Sequence, residues 1–269
     1  MVDQPAPELG DVQQTLFIPL LGRAEYTKSG GRLLHDPKAV EIVTELGPDK
    51  ARFGGSGSMF TVVRTAVFDH WALQFLRAHP DGTVVELGSG LSSRFERLDN
   101  GTVRWFDVDL PDTVAVRRRF FADSERRRTV AASVLDTSWV DAVGDGAPPY
   151  FLVSEGMLVY LQPDEAHRAL RQIVERFSGA GLAIDTYPAA MMRRQHRLAA
   201  NRRIARWQWA CDDPRELESL GLSVRDTASY RRLPAPLRPL IPLHYRALLS
   251  LFDRMTGGML GLTLFDVGS

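Results

Sequence analysis

Residues 84–91 read VVELGSGL, a short apolar run that leads directly into a glycine turn. Such a run is typical of a buried strand, and Gly88 and Gly90 let the backbone approach a ligand where a Cβ would collide. A second apolar run ends at Asp109, about twenty residues later, where an acidic side chain can accept both hydroxyls of a ribose. The two features together predict a site for a nucleoside-bearing ligand.

The rest of the chain continues this alternation of strand and helix. Seven short apolar runs predict strands: Thr83–Leu87, Val103–Val108, Thr129–Val134, Tyr150–Ser154, Gly181–Asp185, Leu222–Asp226 and Leu260–Val267. Helical patterns separate them, notably Pro111–Ala122, Pro163–Phe177 and Pro214–Leu220. This order indicates a Rossmann-like α/β fold, in which a seven-stranded, mostly parallel sheet carries helices on both faces.

Residues 1–80 show no strand pattern and are predicted to be helical. Asp36-Pro37 is typical of a helix start, and apolar residues at three- and four-residue steps predict a longer helix over 58–78. We therefore expect an N-terminal helical cap on the substrate side over 1–80 and a cofactor-binding core over 81–269. Segments 187–211 and 231–256 follow the fifth and sixth predicted strands, which makes them candidate lids over the ligand crevice.

Composition excludes several classes of protein. The 269 residues contain 33 Lys plus Arg and 33 Asp plus Glu, a balance that gives no electrostatic case for nucleic acid or an anionic membrane. A single cysteine excludes an internal disulfide framework and a Cys-based zinc site, and the histidines show no metal-ligand spacing. No signal peptide or membrane-length apolar run is present. We expect a cytoplasmic, metal-free protein that acts on a small molecule, and a homodimer is compatible with these observations.

The glycine turn departs from the dinucleotide fingerprint G-x-G-x-x-G, because Ser93 occupies its third glycine position. Glu86, two residues before Gly88, suits a ligand with cationic groups, and S-adenosyl-L-methionine carries an ammonium and a sulfonium. The turn therefore favours S-adenosyl-L-methionine as cofactor. The alternatives are an NAD-dependent oxidoreductase, a purely structural turn in another α/β protein, and a cofactor-binding partner or regulatory protein without transfer activity.

Several sequence blocks, in order along the chain, carry a family resemblance. They are 35–39 (HDPKA), Arg64-Thr65, 87–121 (LGSGLSSRFERLDNGTVRWFDVDLPDTVAVRRRFF) and 153–161 (VSEGMLVYL). These blocks resemble the leucine carboxyl methyltransferase family, and most closely its bacterial branch of tetracenomycin polyketide O-methyltransferases. The resemblance implies the class I fold of S-adenosyl-L-methionine-dependent methyltransferases.

The resemblance also implies which residues form the cofactor site. Arg64 would pair with the cofactor carboxylate through its planar fork, Asp109 would hold the ribose, and Glu155 would contact the methionine end. Ser133 stands where eukaryotic members carry an Asp that helps bind adenine. The other residues expected around the cofactor are Glu86, Gly88, Ser89, Gly90, Leu110, Val134 and Gly156.

Three residues are candidates for the reaction itself. Arg23 stands where the family places a basic residue near the methyl donor, and Tyr160 is near the site by position. A carboxylate is ionised at neutral pH and needs no base, whereas a phenol would benefit from one, for which His196 is the candidate. We expect transfer to a carboxyl oxygen of a polyketide-like metabolite, with a phenolic or enolic oxygen as the alternative.

The arginine-rich stretch 193–206 has two interpretations. Basic and aromatic residues do not interleave in it as they do in a platform for stacked bases. The stretch is therefore either a solvated helix face or part of a lid whose arginines attract an anionic substrate. In the second case Trp207 and Trp209 would supply apolar walls for a ring.

Overall fold

The computed structural model describes residues 9–54, 58–144, 148–255 and 261–268. Its strands are β1 (Thr83–Leu87), β2 (Arg104–Asp109), β3 (Arg127–Ala131), β4 (Tyr150–Ser154), β5 (Gly181–Thr186), β6 (Leu222–Ala228) and β7 (Gly261–Val267). Its α-helices are α1 (Phe17–Lys28), α2 (Pro37–Leu46), α3 (Lys50–Phe53), α4 (Ser58–Ala78), α5 (Arg94–Leu98), α6 (Pro111–Arg117), α7 (Ser138–Gly144), α8 (Pro163–Arg176), α9 (Ala189–Arg202) and α10 (Leu243–Met255). Short 3₁₀ helices span Gln13–Leu16, Leu158–Tyr160, Pro214–Leu220 and Arg238–Leu240.

The strands form one sheet in the order β3-β2-β1-β4-β5-β7-β6. Strands β1 to β5 pair in parallel, and β7 runs antiparallel to both β5 and β6. Leu87 at the end of β1 pairs with Val108 of β2 on one side and with Ser154 of β4 on the other. The strand order reverses at β1, and such a switch point opens a crevice at the carboxyl ends of the strands. The predicted α/β fold is confirmed.

Each face of the sheet has its own hydrophobic core, because successive strand residues point to opposite sides. Val84 belongs to the core that Val62 and its neighbours on α4 form with the sheet. Val85 belongs to the opposite core, with Trp139 of α7 and Leu170 of α8. Helix α4 therefore shares a core with the strands, and α1 packs against both α2 and α4.

The helix predicted over 58–78 has these same bounds, and Asp36 caps α2 by accepting a 2.9 Å hydrogen bond from the Ala39 amide. In the candidate lid segments, α9 lies within 187–211 and α10 within 231–256. No helix in the described ranges is long and apolar enough to cross a membrane.

The largest errors in the predicted boundaries concern β3 and α6. Strand β3 begins two residues earlier than predicted, because Arg127 donates to Asp107 Oδ2 at 2.8 Å and its charge is thereby neutralised within the sheet. The strand ends at Ala131, so Ser133 and Val134 follow it instead of belonging to it as predicted. Helix α6 ends at Arg117 instead of Ala122, because the chain then forms tighter turns. In one of them the Phe120 amide donates a 2.9 Å hydrogen bond to the Arg117 carbonyl.

Two further differences concern short elements. The segment Pro214–Leu220 was predicted as a helix and forms a 3₁₀ helix, which suits its seven residues between a proline and Gly221. Gly221 ends it with a φ of 96°, in the left-handed region that glycine favours. The predicted start of the last strand, Leu260, lies outside the described residues, and the strand is described from Gly261.

Candidate functional site

A cavity of about 850 Å³ opens at the carboxyl ends of β1, β2 and β4. All but one of the residues predicted for the site lie in its wall: Arg23, Arg64, Glu86, Gly88, Ser89, Gly90, Asp109, Leu110, Ser133, Val134, Glu155, Gly156 and Tyr160. The exception is His196, whose Nε2 is 2.7 Å from the carbonyl oxygen of Trp207 and so donates to it. The structure thus brings together residues from 23 to 160 but ties the candidate base to a backbone carbonyl.

The glycine turn forms the floor of the cavity. Gly88 and Gly90 have φ values of 67° and 49°, a region that a side chain disfavours. Asp109 holds the turn against the end of β2, since its two carboxylate oxygens accept from the amides of Gly90 at 2.6 Å and Leu110 at 2.7 Å. Burial raises the pKa of Asp109, and these two amides oppose the rise. The carboxylate that was predicted to hold a ribose is therefore fixed in orientation at the cavity wall.

Glu155, just beyond β4, is surrounded by donors. Its Oε1 accepts from Arg64 Nε at 3.0 Å and from Thr65 Oγ1 at 2.8 Å, and its Oε2 accepts from Arg94. Burial alone would raise the pKa of Glu155, but the guanidiniums of Arg64 and Arg94 outweigh burial and lower the pKa to about 2. Glu155 is consequently ionised at neutral pH and orders the basic residues around it.

Arg64 has further partners that the sequence did not indicate. Its Nη1 donates at 3.0 Å to both Asp185 Oδ2 and the Tyr187 hydroxyl, at the end of β5. The Gly156 amide donates to Asp185 Oδ1 at 2.7 Å, and Gly156 has a φ of 72°. A Cβ at Gly156 would lie 3.0 Å from Arg64 Nη1, so glycine allows the guanidinium to rest against the backbone.

These contacts belong to a continuous series of ion pairs, which we call the buried ion-pair chain. It runs from Arg23 through Asp36, Arg97, Asp69 and Arg94, which also contacts Glu86, and continues through Glu155, Arg64 and Asp185. Each of these side chains is at most 15% exposed. Sequence reasoning missed Arg94, Asp69 and Asp185, although Arg94 lies within the block 87–121 that carries the family resemblance.

Glu86 differs from Glu155 although both contact Arg94. Its Oε2 is buried and has no hydrogen-bond partner among the described residues, and the same holds for the hydroxyl of Ser89. Burial raises the pKa of Glu86, and the nearby guanidiniums of Arg94 and Arg117 do not offset this rise. Ser93, the residue in the third glycine position, donates to Asp36 Oδ2 at 2.6 Å and thus has a role within the ion-pair chain.

Ser133 and Val134 lie in the loop after β3 and face the cavity from the side of β2. The Ser133 hydroxyl accepts from the Leu135 amide at 3.2 Å, and the Ser133 amide donates to Asp136 Oδ2 at 3.3 Å. The hydroxyl is thus already part of a local turn. A contact between Ser133 and adenine stays a prediction.

The opposite side of the cavity is apolar and aromatic. The ring of Phe60 in α4 packs edge-on against Tyr230, with 5.0 Å between ring centroids, and at a tilt against Phe252, with 4.4 Å between centroids. Trp207 of the first candidate lid also lines the cavity, whereas Trp209 is buried in the core on the other face of the sheet. Burial raises the pKa of Tyr160, so its hydroxyl is neutral at physiological pH. This side can accommodate a flat, apolar molecule.

Comparison with known proteins agrees with this geometry. The sequence model that describes the leucine carboxyl methyltransferase family matches residues 18–174. The tetracenomycin polyketide synthesis O-methyltransferase TcmP of Streptomyces glaucescens is 29% identical over 232 residues, which cover 85% of this chain and 86% of that protein. The S-adenosyl-L-methionine-dependent methyltransferase dpfgK of Gibberella zeae is 27% identical over 243 residues, with 81% of each chain covered. A solved DUF574 family protein of Streptomyces avermitilis has a similar fold, with a TM-score of 0.56 at 15% identity, over 91% of this chain and 96% of that one.

Proposed function

The chain belongs to the leucine carboxyl methyltransferase family, and we propose that it transfers a methyl group to a carboxyl oxygen of a small polyketide-like molecule. Its cofactor is S-adenosyl-L-methionine, as for the methyltransferases it resembles. The Streptomyces glaucescens relative is a polyketide synthesis O-methyltransferase, which supports a polyketide acceptor and transfer to oxygen. The choice of a carboxyl oxygen rests on the chemistry of the cavity wall.

The residues around the glycine turn fit this cofactor. Glu86 Oε2 and the Ser89 hydroxyl are buried polar atoms that need a partner, and both residues face the cavity. The buried ion-pair chain contains five carboxylates and four guanidiniums, and this excess of negative charge suits a ligand with an ammonium and a sulfonium. Asp109 would hold the ribose and Arg64 the cofactor carboxylate.

The bound cofactor supplies an electrophilic methyl group, so the protein's task is to align the acceptor oxygen and exclude water. Of the carboxylates in the described wall near the turn, Glu86 keeps one oxygen without a partner, and in the proposed arrangement that oxygen serves the cationic end of the cofactor. Glu155 is held by Arg64 and Arg94, and Asp109 is held by two backbone amides. Asp11 is exposed at the rim, and no histidine lines the cavity in the part of the chain that the structure describes.

An acceptor that arrives already ionised needs no base, and a carboxylate with a pKa of about 4 meets that condition at neutral pH. With Glu86 assigned to the cofactor, the described wall leaves no base for the acceptor, and this observation carries the carboxyl proposal. A phenolic oxygen, with a pKa of about 10, would have to be deprotonated first. That alternative is favoured only by the aromatic wall around Phe60.

We further propose that 187–211 and 231–256 act as lids over the acceptor, and that 1–80 forms its near wall. Met191 and Trp207 from the first segment and Phe252 from the second line the cavity, as does Phe60 from the N-terminal part. Their positions support separate zones for the cofactor, at the strand ends, and for the acceptor, beneath the lids.

Calorimetric titration of the full chain with S-adenosylhomocysteine, with NAD as the control ligand, tests the cofactor site directly. Transfer of a labelled methyl group to a series of aromatic carboxylic acids and phenols then tests the acceptor. A methyl ester releases labelled methanol on mild alkaline hydrolysis, whereas a methyl ether does not. We also expect the rate to stay flat from about pH 6 to 9 for a carboxylate acceptor, because its ionisation is complete there. A label that resists alkali would refute carboxyl transfer and leave the methyltransferase assignment intact.

A further inference from the structure

One face of α9 forms a continuous strip of the cavity wall. Its members occupy positions i, i+3, i+4, i+7 and i+11, as expected for one side of a helix: Met191, Arg194, Gln195, Leu198 and Arg202. Two of the five are arginines: Arg194 is exposed like the neighbouring Arg193 and Arg197, but unlike them it lines the cavity, and Arg202 is half-buried. The helix thus directs selected basic side chains towards the zone assigned to the acceptor.

The two arginines of this strip differ in their partners. Arg202 Nη1 donates to the Gly54 carbonyl at 2.9 Å, which ties the end of α9 to the segment after α3. Arg194 instead lies over the ring of Phe252 in α10, with its guanidinium carbon 5.1 Å from the ring centroid. Among the described residues no carboxylate lies within 4.0 Å of Arg194.

A guanidinium above an aromatic ring is positioned by the ring while its in-plane N–H groups stay available to an anion. Phe252 is itself packed against Phe60, at 4.4 Å between centroids. Arg194 is therefore a positioned cation beside an aromatic surface, on the boundary between the two lid segments.

The distribution of charge supports the same conclusion. The chain as a whole is neutral, yet segments 187–211 and 231–256 together contain eleven arginines and one acidic residue, Asp253. The rest of the chain carries the compensating negative charge. Such a separation gives these two segments a net positive charge, which attracts anions and repels cations.

We propose that Arg194 is the specificity-determining residue for the acceptor, and that it selects flat apolar molecules that carry a negative charge. This inference rests on the proposed function, because it assigns the wall under the lids to the acceptor. Arg194 binds the anionic group while the aromatic cluster of Phe60, Tyr230 and Phe252 contacts the ring system. Neutral molecules of the same shape lose this contact and bind less tightly.

Two fluorescent ligands with one skeleton test the proposal. 1-Anilinonaphthalene-8-sulfonate carries a sulfonate that N-phenyl-1-naphthylamine lacks, and both brighten in an apolar site. Each is titrated into the full-length protein saturated with S-adenosylhomocysteine, for the wild type, Arg194→Gln, Arg194→Lys and the matched control Arg193→Gln. We expect Arg194→Gln to weaken sulfonate binding by about three- to tenfold, as for loss of one charge-assisted contact at a partly exposed site.

The neutral ligand should bind all four proteins equally, and Arg194→Lys should retain most of the sulfonate affinity. Equal losses in Arg193→Gln and Arg194→Gln would overturn the proposal, since the general field would then explain binding. Unchanged sulfonate affinity in Arg194→Gln, or equal loss of both ligands, would overturn it too. Calorimetry with S-adenosylhomocysteine should give the same affinity in every variant. Absence of that binding in the wild type would instead indicate failure of the proposed function.

Discussion

Glu155 and Glu86 both contact Arg94, but the structure predicts a large loss of stability when Glu155 is replaced by glutamine and a small change when Glu86 is. Glutamine keeps the shape of the side chain and removes its charge. In Glu155→Gln, Arg64 and Arg94 lose a buried anion, and the new amide presents donors to their N–H groups. In Glu86→Gln, Arg94 keeps Asp69 at 2.7 Å and also keeps Glu155.

The pKa values set the magnitudes. The pKa of Glu155 falls from 4.5 to about 2 in the folded protein, and a shift of this size corresponds to about 3 kcal/mol of stability at neutral pH. Since the folded-state pKa is depressed, this contribution is complete above pH 4.5 and is lost as the pH falls to about 2. The pKa of Glu86 is raised by burial, so ionised Glu86 opposes folding at neutral pH. Glu86→Gln should therefore change the free energy of unfolding by less than about 1 kcal/mol.

Urea unfolding at pH 7, followed by circular dichroism, measures both effects on the same scale. We expect Glu155→Gln to lose about 3 kcal/mol with an unchanged dependence on urea concentration. The difference from wild type should narrow below pH 4.5, where Glu155 takes up a proton on unfolding. If Glu86→Gln is as destabilising as Glu155→Gln, or if Glu155→Gln unfolds like wild type, our account of the ion-pair chain is wrong.

Three further outcomes are expected. Asp109→Asn should weaken S-adenosylhomocysteine binding about tenfold in calorimetry, through loss of an ionised acceptor for the ribose; unchanged affinity would contradict the ribose assignment. Arg64→Lys should weaken S-adenosyl-L-methionine and S-adenosylhomocysteine equally, because both carry the carboxylate, and loss of only one would exclude the proposed salt bridge. Burial raises the pKa of Cys211 to about 12, so iodoacetamide at pH 8 should alkylate it in urea but not in the native protein; rapid native labelling, followed by mass spectrometry, would show that it is accessible.

The sheet could be predicted from sequence because its information is local. Apolar runs such as Tyr150–Ser154 are buried on both faces, and the helix over 58–78 repeats its apolar residues at helical spacing. The predicted bounds of β3 were wrong because the strand starts with Arg127, a residue type that a local sequence pattern places on the protein surface. Only its pairing with Asp107, twenty residues earlier, makes Arg127 acceptable within a sheet.

The site was predictable only where a motif marks it. The glycine turn and Asp109 lie on neighbouring strands, so the parallel topology brings them together. The buried ion-pair chain joins residues with no local relation, such as Asp36 with Arg97 and Arg64 with Asp185. A single charged residue in a helix gives the same pattern whether it is solvated or paired, and the pairing is decided by packing of α4 against the sheet.

The charge of the cavity wall differs between the strand ends and the lid segments. At the strand ends, Glu86, Glu155 and Asp185 belong to a chain with one carboxylate in excess, and under the lids Arg194 is a cation without a carboxylate partner in the described part of the protein. A methyl donor is cationic at its reacting end, whereas a carboxylate acceptor is anionic. The methyl donor is therefore attracted to the strand ends, and the proposed carboxylate acceptor is attracted to the lid segments. Methyl transfer neutralises the acceptor carboxylate and the sulfonium together, so both attractions weaken once the reaction is complete, which favours release of the products.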